Sequence, residues 1–493
     1  MLSSSFNSYS YQAESLQPKE PSAMAPPLNL IIVSNRLPIT IKKLNPESYA
    51  CSQSTGGLAG ALSGLAKSMP FRWFGWPGLE IPQEDEELVR QRAAEYDVLP
   101  IFLENDLAHR YYNGFSNSIL WPLFHYQLHE MVRIDKADWD AYIEVNLLFA
   151  KVIAPQLNDG DIIWIHDYHL MLLPQFLREK TRQSGINFKI GFFLHTPFPS
   201  CEVFRILPMK KKILTALLHC DLVGFHTESY ARHFVNSCSQ ILKLPTSSSH
   251  VQYHSSNVAV GVFPIGIEPE RFAETIQKSG VQERIRALSR RYQGARLIVS
   301  VDRLDYIKGV PQKLKALETF LTQYPEWVGK VVLMQVAVPT REDVEEYQSL
   351  KTEVNELVGR LNGKHGSIEF SPVSFLNQSL DFEEIVALYA ASDICLVSST
   401  RDGMNLVCLE YIACQRLKHG SLVLSEFAGA AEVLDGGIIF NPWDVEESVD
   451  AIHKALTMGE EERVKIFKKL EEYVMRNTSA AWGEEFTNCL MKA

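Results

Sequence analysis

The 493-residue chain has no apolar run that approaches the ~18–20 residues a membrane-spanning helix needs. Its eight cysteines form no C-x-x-C pair, and several lie within apolar segments, which favours reduced core thiols over disulfides or a zinc site. Positive charge is also in short supply, because 48 basic and 59 acidic side chains give a formal net charge of −11. That balance argues against a nucleic-acid-binding protein. We therefore predict a cytoplasmic globular protein that concentrates its cations locally if it binds anions.

The first 27 residues lack both an arginine and a long apolar segment, and they are rich in Ser and Pro. This composition fits neither a secretory signal nor a mitochondrial presequence. We predict that residues 1–27 form a disordered tail, because they offer too little apolar surface to pack.

Beyond the tail, continuously apolar segments alternate with helical patterns, which is typical of parallel α/β sheets. There are too many such segments for one compact sheet, so we predict two α/β domains joined near residues 266–272. The Ser- and His-rich segment 246–257 is predicted to be an exposed loop. The predicted strands are 28–33, 162–165, 190–194, 222–225, 258–262, 297–301, 331–336, 394–397 and 422–424.

The segment that follows the predicted strand 394–397 carries the most chemical information. It contains a tight Asp402-Gly403 turn and then a helical pattern. A helix N-terminus presents unpaired N–H groups and a partial positive charge to an anion, and Gly403 allows close approach of the backbone. Asp402 could accept hydrogen bonds from sugar hydroxyls, and Glu410 from two ribose hydroxyls. The segment indicates a nucleotide-sugar site, or else an ordinary turn with a surface glutamate.

Polar residues follow six predicted strands at their carboxyl ends, three strands in each domain. Ligands of parallel α/β sheets bind at these ends, so we predict one shared site in an interdomain cleft. The six groups are 34–36, 166–169, 195–197, 302–309, 339–341 and 402–403. They include four cations, which suggests two phosphorylated ligands, although any one of the four alone could be ordinary surface charge. These cations are Arg36, Arg303, Lys308 and Arg341.

Other motifs are weaker. Gly56-Gly57 fits a loop over phosphates or a simple turn. The aromatic stretches around Trp76, Tyr112 and Trp121 fit either sugar stacking or core packing. His166–His169 contains side chains that can bind a metal, but no Cys or Glu cluster completes a site, so we predict no metal and assign Asp167 to sugar hydroxyls.

The D-x-D pattern of Asp159 and Asp161 precedes a predicted strand, which puts it at the amino end of the sheet. Some sugar transferases use such a pattern to hold a divalent cation. Here it lies away from the predicted cleft, so we interpret it as a polar turn.

The motifs together resemble those of the trehalose-6-phosphate synthases, in the same order, from about residue 30 to about residue 443. The chain is most similar to the single-activity fungal type. The resemblance implies a GT-B fold, with a Rossmann-like acceptor domain at 28–268, a Rossmann-like nucleotide-sugar domain at 269–477 and a C-terminal helix at about 478–493 that crosses back. The motifs are 34–38, 56–58, 111–121, 164–169, 195–199, 302–309 and 401–410.

The resemblance also implies an activity. It is the transfer of glucose from UDP-glucose to glucose 6-phosphate, with retention, giving α,α-trehalose 6-phosphate and UDP. Neither a metal nor another cofactor is expected. A homo-oligomer, or a complex with a trehalose-phosphate phosphatase and regulatory subunits, is a possible assembly. The alternatives are another phosphorylated acceptor, a non-catalytic regulatory subunit of the same fold, and a phosphorylase-like enzyme with pyridoxal phosphate.

Residue roles follow from the same resemblance. The donor-binding residues are expected to be Gly56, Gly57, Arg303, Lys308, Leu380, Asp402, Gly403, Met404, Asn405, Leu406, Val407 and Glu410, with Arg303 and Lys308 on the diphosphate, Leu380 beside the uracil and Glu410 on the ribose. Asp402 and His195 are expected to hold hydroxyls of the transferred glucose. The acceptor-binding residues are expected to be Arg36, Trp76, Tyr112, Trp121, Asp167 and Arg341.

Overall fold

The computed structural model describes residues 29–45, 48–54, 57–66, 69–131, 133–340 and 345–493. The predicted tail, together with Gly56 and Arg341, lies outside the described residues. Within them, the chain forms two large sheets and one small hairpin.

The N-terminal sheet has eight strands in the order β5-β4-β1-β6-β7-β8-β10-β9. All neighbouring pairs are parallel except β9 and β10. Every residue of the central strand β6 is buried, which explains why such strands are continuously apolar. The strands of this half, with the β2–β3 hairpin, are β1 (Leu30–Arg36), β2 (Ile39–Asn45), β3 (Ser48–Gln53), β4 (Phe71–Trp76), β5 (Val98–Pro100), β6 (Ile162–His166), β7 (Lys189–Phe193), β8 (Leu222–Phe225), β9 (His250–Tyr253) and β10 (Ser256–Val262).

The C-terminal sheet has six parallel strands in the order β13-β12-β11-β14-β15-β16. Its strand order reverses direction on either side of β11, and crevices at such switch points are where α/β sheets bind ligands. The strands are β11 (Arg296–Arg303), β12 (Val331–Val338), β13 (Val373–Leu376), β14 (Ile394–Val397), β15 (Ser421–Ser425) and β16 (Ile438–Phe440).

Helices connect the parallel strands and cover the sheets. Within the described residues, none of them combines the length and the apolar character that a bilayer crossing requires. The helices are α1 (Gly57–Leu65), α2 (Glu86–Ala94), α3 (Asn105–Ala108), α4 (Trp121–Phe124), α5 (Lys136–Ile153), α6 (Leu173–Thr181), α7 (Cys201–Phe204), α8 (Lys210–Leu217), α9 (Glu228–Ser237), α10 (Pro269–Ile276), α11 (Ser279–Arg291), α12 (Val310–Gln323), α13 (Glu345–His365), α14 (Phe382–Ala391), α15 (Leu406–Ala413), α16 (Val445–Thr457), α17 (Glu460–Arg476) and α18 (Ser479–Lys492).

One local prediction needs correction. The segment 246–257 was expected to be a loop, but it contains β9, which pairs antiparallel with β10. Its polar residues fit this edge position, because one face and one side of an edge strand meet solvent. The aromatic stretch after α3 forms a π-helix, His109–Leu120, which buries Tyr111 and Phe115 in the core. Wide helical turns of this kind are rare and occur often at functional sites.

The chain crosses between the two sheets at adjacent positions. Ile267 forms a bridge with Thr478, and the backbone N–H of Ser479 donates to the carbonyl oxygen of Ile267 at 3.0 Å. A glycine is required at Gly266, because a Cβ there would lie 1.9 Å from the carbonyl oxygen of Asn477. The crossings let α18 return to the first sheet.

Helix α18 packs against the N-terminal sheet through aromatic side chains. The ring of Phe486 stacks on Trp164 with centroids 4.3 Å apart, and Trp482 lies 4.8 Å from the same indole. Gly191 on β7 leaves the room that these rings occupy, since a Cβ there would lie 2.6 Å from Phe486. The last helix therefore forms part of the core beneath the cleft.

Candidate active site

A cavity of about 510 Å³ lies between the carboxyl ends of the two sheets. It brings together most of the residues predicted from the sequence, from both halves of the chain. Arg36 and Trp76 adjoin the cavity through Tyr112, whereas Leu380 and Glu410 lie further away. The predicted residues that line it are Gly57, Tyr112, Trp121, Asp167, His195, Arg303, Lys308, Asp402, Gly403, Met404, Asn405, Leu406 and Val407.

Asp402 is a carboxylate of the cavity that three neighbouring side chains hold in place. Its Oδ2 accepts hydrogen bonds from Lys308 Nζ at 2.5 Å, Ser399 Oγ at 3.1 Å and Asn405 Nδ2 at 3.1 Å. Burial would raise the pKa of Asp402, but Lys308 and Asn405 outweigh burial and lower it to about 2. The Asp402 carboxylate is therefore ionised at neutral pH, and it fixes the ammonium group of Lys308 near the N-terminus of α15.

Arg303, the last residue of β11, faces the same cavity and is less constrained than Lys308. Its Nη2 lies 3.7 Å from Asp305 Oδ2, and its guanidinium carbon lies 5.2 Å from the centre of the Trp121 ring. The Arg303 side chain is 43% exposed, so its donors are accessible to a ligand. Arg303 and Lys308 thus present two cations on one side of the cleft, as the sequence predicted.

The turn before α15 brings backbone N–H groups to the cavity. Asn405 adopts a positive φ of 79° and caps the helix, with its Oδ1 accepting from Cys408 N at 3.3 Å. Gly403 is required because a Cβ there would lie 1.9 Å from the carbonyl oxygen of His195. The N-terminus of α15, with Leu406 and Val407, therefore lies directly against the other domain, where it can bind an anion.

Two predicted donor residues lie outside this cavity. Leu380 lines a neighbouring apolar groove of about 340 Å³ between α11 and α14. Glu410, one turn along α15, is partly buried and accepts a hydrogen bond from Tyr389 Oη at 3.2 Å. Burial raises the pKa of Glu410 above its ordinary value, and the hydrogen bond from Tyr389 opposes this shift only in part.

An aromatic and cationic group forms the opposite wall. The guanidinium carbon of Arg36 lies 4.0 Å from the centre of the Trp76 ring and 5.2 Å from that of Tyr112. The Tyr112 ring stacks on His169 with centroids 5.7 Å apart. Arg36 follows β1 and Trp76 ends β4, so neighbouring parallel strands place both at one edge of the sheet.

Asp167 has a positive φ and a raised pKa. Its φ is 73°, which is strained for a residue with a Cβ and is common at functional sites. This conformation lets its Oδ1 accept from the backbone N–H of His195 at 3.2 Å. Burial raises the pKa of Asp167 to about 6, against the opposing effect of hydrogen bonds from Tyr168 and His195.

Some residues of the cavity were not assigned a role from the sequence. His226 follows β8 and could have been found by applying the strand-end rule to that strand. His125 directly follows α4, and its Nδ1 lies 2.7 Å from the carbonyl oxygen of Trp121, a position that no sequence pattern indicated. The unassigned residues are Leu58, His125, Tyr168, His169, Thr196, His226, Ile265, Val301 and Asp302.

The D-x-D pattern lies where the sequence placed it, before β6 and at the amino end of the sheet. Asp159 Oδ1 accepts from the backbone N–H of Asn187 at 2.9 Å, and Asp161 Oδ2 accepts from that of Asn158 at 2.8 Å. Both carboxylates therefore shape a turn. No group of three or more His, Cys, Asp or Glu side chains suited to a metal occurs within the described part of the chain.

The family model described as glycosyltransferase family 20 matches residues 28–492. The chain belongs to this family. It is 58% identical, over 464 residues, to the UDP-forming alpha,alpha-trehalose-phosphate synthase of Emericella nidulans, covering 94% of this chain and 92% of that protein. The predicted resemblance to the trehalose-6-phosphate synthases is confirmed.

Two solved structures share the fold over 94% of this chain. One is the E. coli trehalose-6-phosphate protein bound with UDP-2-fluoro glucose, with a TM-score of 0.83, 35% identity and coverage of 94% of this chain and 99% of that one. Another is the UDP-forming alpha,alpha-trehalose-phosphate synthase of Burkholderia xenovorans in complex with glucose-6-phosphate, with a TM-score of 0.83, 32% identity and coverage of 94% and 100%. The predicted GT-B fold is confirmed.

Proposed function

We propose that this chain transfers glucose from UDP-glucose to glucose 6-phosphate and releases α,α-trehalose 6-phosphate and UDP. The observation that carries the proposal is the single cavity in which Arg303, Lys308 and the N-terminus of α15 face Tyr112 and Asp167 across the domain interface. Relatives in the same family are named for this synthase activity, and solved relatives hold a UDP-sugar analogue or glucose-6-phosphate.

The donor diphosphate would lie between Arg303, Lys308 and the first turn of α15. Negative charge on the departing phosphate grows as the bond to the glucose anomeric carbon breaks. Cations and helix N–H groups that are already in position stabilise this charge without reorganisation, which lowers the barrier. Asp402 would hold hydroxyls of the transferred glucose while it orients Lys308.

Retention of configuration is proposed to proceed on one face of the sugar. Three aspartates line the cavity, and each already has partners: Asp402 with Lys308, Asp302 with Lys313 at 2.6 Å, and Asp167 with the His195 backbone. These contacts argue against a carboxylate poised as a covalent nucleophile. The acceptor hydroxyl would bond to the anomeric carbon as the phosphate leaves, and its proton would pass to that phosphate.

The acceptor would bind against the wall formed by Arg36, Trp76, Tyr112 and Trp121. Arg36 lies over two aromatic faces, and these hold its planar group in place while its N–H donors can meet a phosphate. Asp167, when ionised, would accept from hydroxyls of the acceptor glucose. Arg341 is also proposed for the phosphate, on the basis of the family resemblance.

The test is UDP release from UDP-glucose with and without glucose 6-phosphate. We expect turnover that depends on glucose 6-phosphate and a product identified as α,α-trehalose 6-phosphate. Tight UDP binding without turnover would instead support a non-catalytic subunit. Release with another phosphorylated acceptor at a higher rate would reassign the acceptor.

We further propose that turnover requires no divalent metal or other cofactor, because Arg303 and Lys308 supply positive charge at the phosphates. Equal rates with chelator and with added Mg²⁺ are expected. A rate abolished by chelator and restored by one metal would overturn this. Association as a homo-oligomer or with a trehalose-phosphate phosphatase and regulatory subunits, and a cytoplasmic location, stay predictions.

A further inference from the structure

The turn between β14 and α15 meets the N-terminal domain at four consecutive residues, 400–403, which we name the docking turn. Three of its contacts are Thr400 Oγ1 with Gln127 Nε2 at 3.3 Å, the Asp402 carbonyl oxygen with Tyr230 Oη at 2.9 Å, and Gly403 with the carbonyl oxygen of His195, which would lie 1.9 Å from a Cβ. The fourth contact belongs to Arg401, a residue to which the proposed function assigns no role.

The guanidinium group of Arg401 lies between two aromatic rings, one from each domain. Its carbon is 4.3 Å from the centre of the Tyr126 ring and 5.4 Å from that of the Phe427 ring. Within the described residues, Arg401 Nε is buried without a hydrogen-bond partner, and Arg401 forms no ion pair. Glu426 and Glu432 line the same small cavity of about 140 Å³ behind the docking turn. The faces of rings rather than carboxylates therefore hold this cation.

The backbone of Tyr126 indicates that its side chain has a purpose. Tyr126 is the second residue after α4 and has a φ of 62°, in the left-handed region. Glycine is the usual residue at such a position, because a side chain there is strained. The Tyr126 ring receives Arg401, and its Oη accepts a hydrogen bond from the backbone N–H of Ser200 at 2.7 Å, which anchors the ring to its own domain. These contacts explain a tyrosine where the backbone favours glycine.

The docking turn also belongs to the donor side of the cleft, which contains Lys308 and the N-terminus of α15. The Asp402 carboxylate holds Lys308 at 2.5 Å. Asp402 N donates to the carbonyl oxygen of Phe427 at 3.0 Å, and Gly429 N donates to that of Asp402 at 3.1 Å. These bonds fix the turn to its own domain. Its contacts with the N-terminal domain therefore determine where the donor side lies relative to the acceptor side.

We propose that Arg401 is a positioning residue, which by packing on Tyr126 sets the relative position of the donor side and the acceptor side of the cleft. This inference rests on the proposed function for the identity of the two substrates. Arg401 faces the cavity behind the docking turn and does not line the cavity that holds the predicted site residues, so it acts without touching a substrate. The relative position matters because a misplacement of about 1 Å can slow a reaction roughly a hundredfold.

This role separates the binding of one substrate from the transfer between two. UDP alone contacts the donor side, so its affinity should not depend on Arg401. Transfer needs both sides in the correct relative position, and so does the binding of glucose 6-phosphate while UDP is present. A residue that only supported the fold would instead lower UDP affinity and the transfer rate together.

Kinetics and calorimetry on Arg401→Leu test this separation. We expect kcat/KM for both substrates, and the affinity for glucose 6-phosphate measured with saturating UDP, to fall about tenfold, the size of one largely buried cation–π contact. UDP affinity alone should change by less than about twofold, as for a site without shared partners. Arg416→Leu is the matched control, since Arg416 is a half-exposed arginine of the same domain that pairs with Glu471 at 2.8 Å. It should leave all three quantities unchanged.

Variants of the partner ring test whether Arg401 acts through Tyr126. Tyr126→Phe keeps the ring face, so its kcat/KM values should stay within about twofold of the wild type, whereas Tyr126→Leu should match Arg401→Leu. The double variant Arg401→Leu/Tyr126→Leu should be no worse than either single variant, because both substitutions remove the same contact. Additive losses would overturn the proposal. Equal losses in Tyr126→Phe and Tyr126→Leu would also overturn it, because they would assign the effect to the hydroxyl group and not to the ring face.

The outcomes separate this inference from the proposed function. If the wild type binds both substrates but shows no transfer, the function fails, while the affinity for glucose 6-phosphate in the presence of UDP still decides the role of Arg401. If Arg401→Leu transfers at the wild-type rate, or loses UDP affinity in step with the rate, the positioning role fails and the function stands. A wild type that does not bind both substrates would overturn both. If Arg401→Leu does not fold, Arg401→Lys and Tyr126→Leu provide the same comparison.

Discussion

The C-domain wall of the cleft is built from two short segments, 301–308 and 402–407, whereas the N-domain wall draws side chains from positions spread over residues 36–265. In the C-domain wall, charges and backbone N–H groups are fixed by contacts within and between these two segments, such as Asp402 with Asn405 and Asp402 with Lys308. In the N-domain wall, rings and guanidinium groups are fixed by packing against partners distant in sequence, such as Arg36 on Trp76.

This difference indicates how each wall should respond to substitution. A local network of charges is coupled, so the loss of one member leaves another unpaired and the cost exceeds one contact. A packed aromatic wall is supported from several directions, so the loss of one side chain should affect mainly the group it contacts. The predictions below test this contrast, beginning with the largest expected effect.

Lys308→Ala should have the largest effect, because it removes a phosphate contact and leaves the buried Asp402 carboxylate without its cation. We expect kcat/KM to fall by about two to three orders of magnitude and UDP affinity to fall with it, from a charge-assisted contact of ~1.5–3 kcal/mol and the added cost of the unpaired carboxylate. Steady-state kinetics and calorimetry with UDP are the measurements.

Two further variants test the coupling itself. Lys315→Ala, which removes a lysine paired with the exposed Glu353 at 2.9 Å, should leave both quantities unchanged. The double variant Lys308→Ala/Asp402→Asn should recover the thermal stability lost in Lys308→Ala but not its activity. Wild-type UDP affinity in Lys308→Ala would contradict the donor assignment.

Arg36→Ala should act on one substrate only. Its guanidinium is proposed to bind the acceptor phosphate, so the KM for glucose 6-phosphate should rise about tenfold or more, in the range of a charge-assisted contact. UDP affinity should stay constant, since Arg303 and Lys308 lie on the other wall. Arg72→Ala, on β4 near the amino end of the sheet, is the control. A loss of UDP affinity as large as the rise in the KM for glucose 6-phosphate would show that the two walls are not independent.

The two walls should also differ in pH dependence. Asp402, with a pKa of about 2, stays ionised across the range in which the enzyme folds, so it should add no pH dependence above pH 4. Asp167, with a pKa of about 6, must lose its proton to accept from the acceptor, so kcat/KM for the acceptor should rise several-fold between pH 5 and 7. Asp167→Asn should remove the part of the profile that does not come from the substrate phosphate.

The contributions of these two carboxylates to the free energy of unfolding should change with pH in opposite directions. The raised pKa of Asp167 means that its contribution to the free energy of unfolding is present below its unfolded pKa and lost as pH rises through about 6. The lowered pKa of Asp402 means that its contribution is present above its unfolded pKa and lost as pH falls through about 2. Unfolding of Asp167→Asn compared with wild type at pH 5 and pH 8 measures the first; no pH-dependent difference would contradict it.

Tyr230→Phe should have the smallest effect, and it tests contact between the walls. Tyr230 Oη on α9 donates to the carbonyl oxygen of Asp402 at 2.9 Å, which joins the two domains beside the cavity. Losing this buried hydrogen bond should raise both KM values about three-fold, within the usual range of ~0.5–1.5 kcal/mol. Tyr253→Phe, at the edge strand β9, should leave both unchanged. A change in only one of the two KM values would show that Tyr230 affects the binding of one substrate and not the contact between the walls.

Much of the C-domain wall could be predicted from the sequence, because its parts are contiguous. The Asp402-Gly403 turn after an apolar strand and the helix that follows it are local features, and the structure places them as expected. In the N-domain wall, most of the residues that could be predicted were those that directly follow a strand. His125 was missed because it follows a helix rather than a strand, and the edge strand β9 was missed because polar residues there resemble a loop.

The sequence by itself determined the α/β pattern, the six groups of polar residues at the carboxyl ends of strands, and the membership of the family. Each of these depends on the order of residues along the chain. What only the tertiary structure decided was how those residues meet. Lys308 pairs with Asp402, His166 lies against His195, and α18 returns to cover Trp164. Such contacts depend on distances between positions that are 29 to 322 residues apart, and local patterns carry no information about those distances.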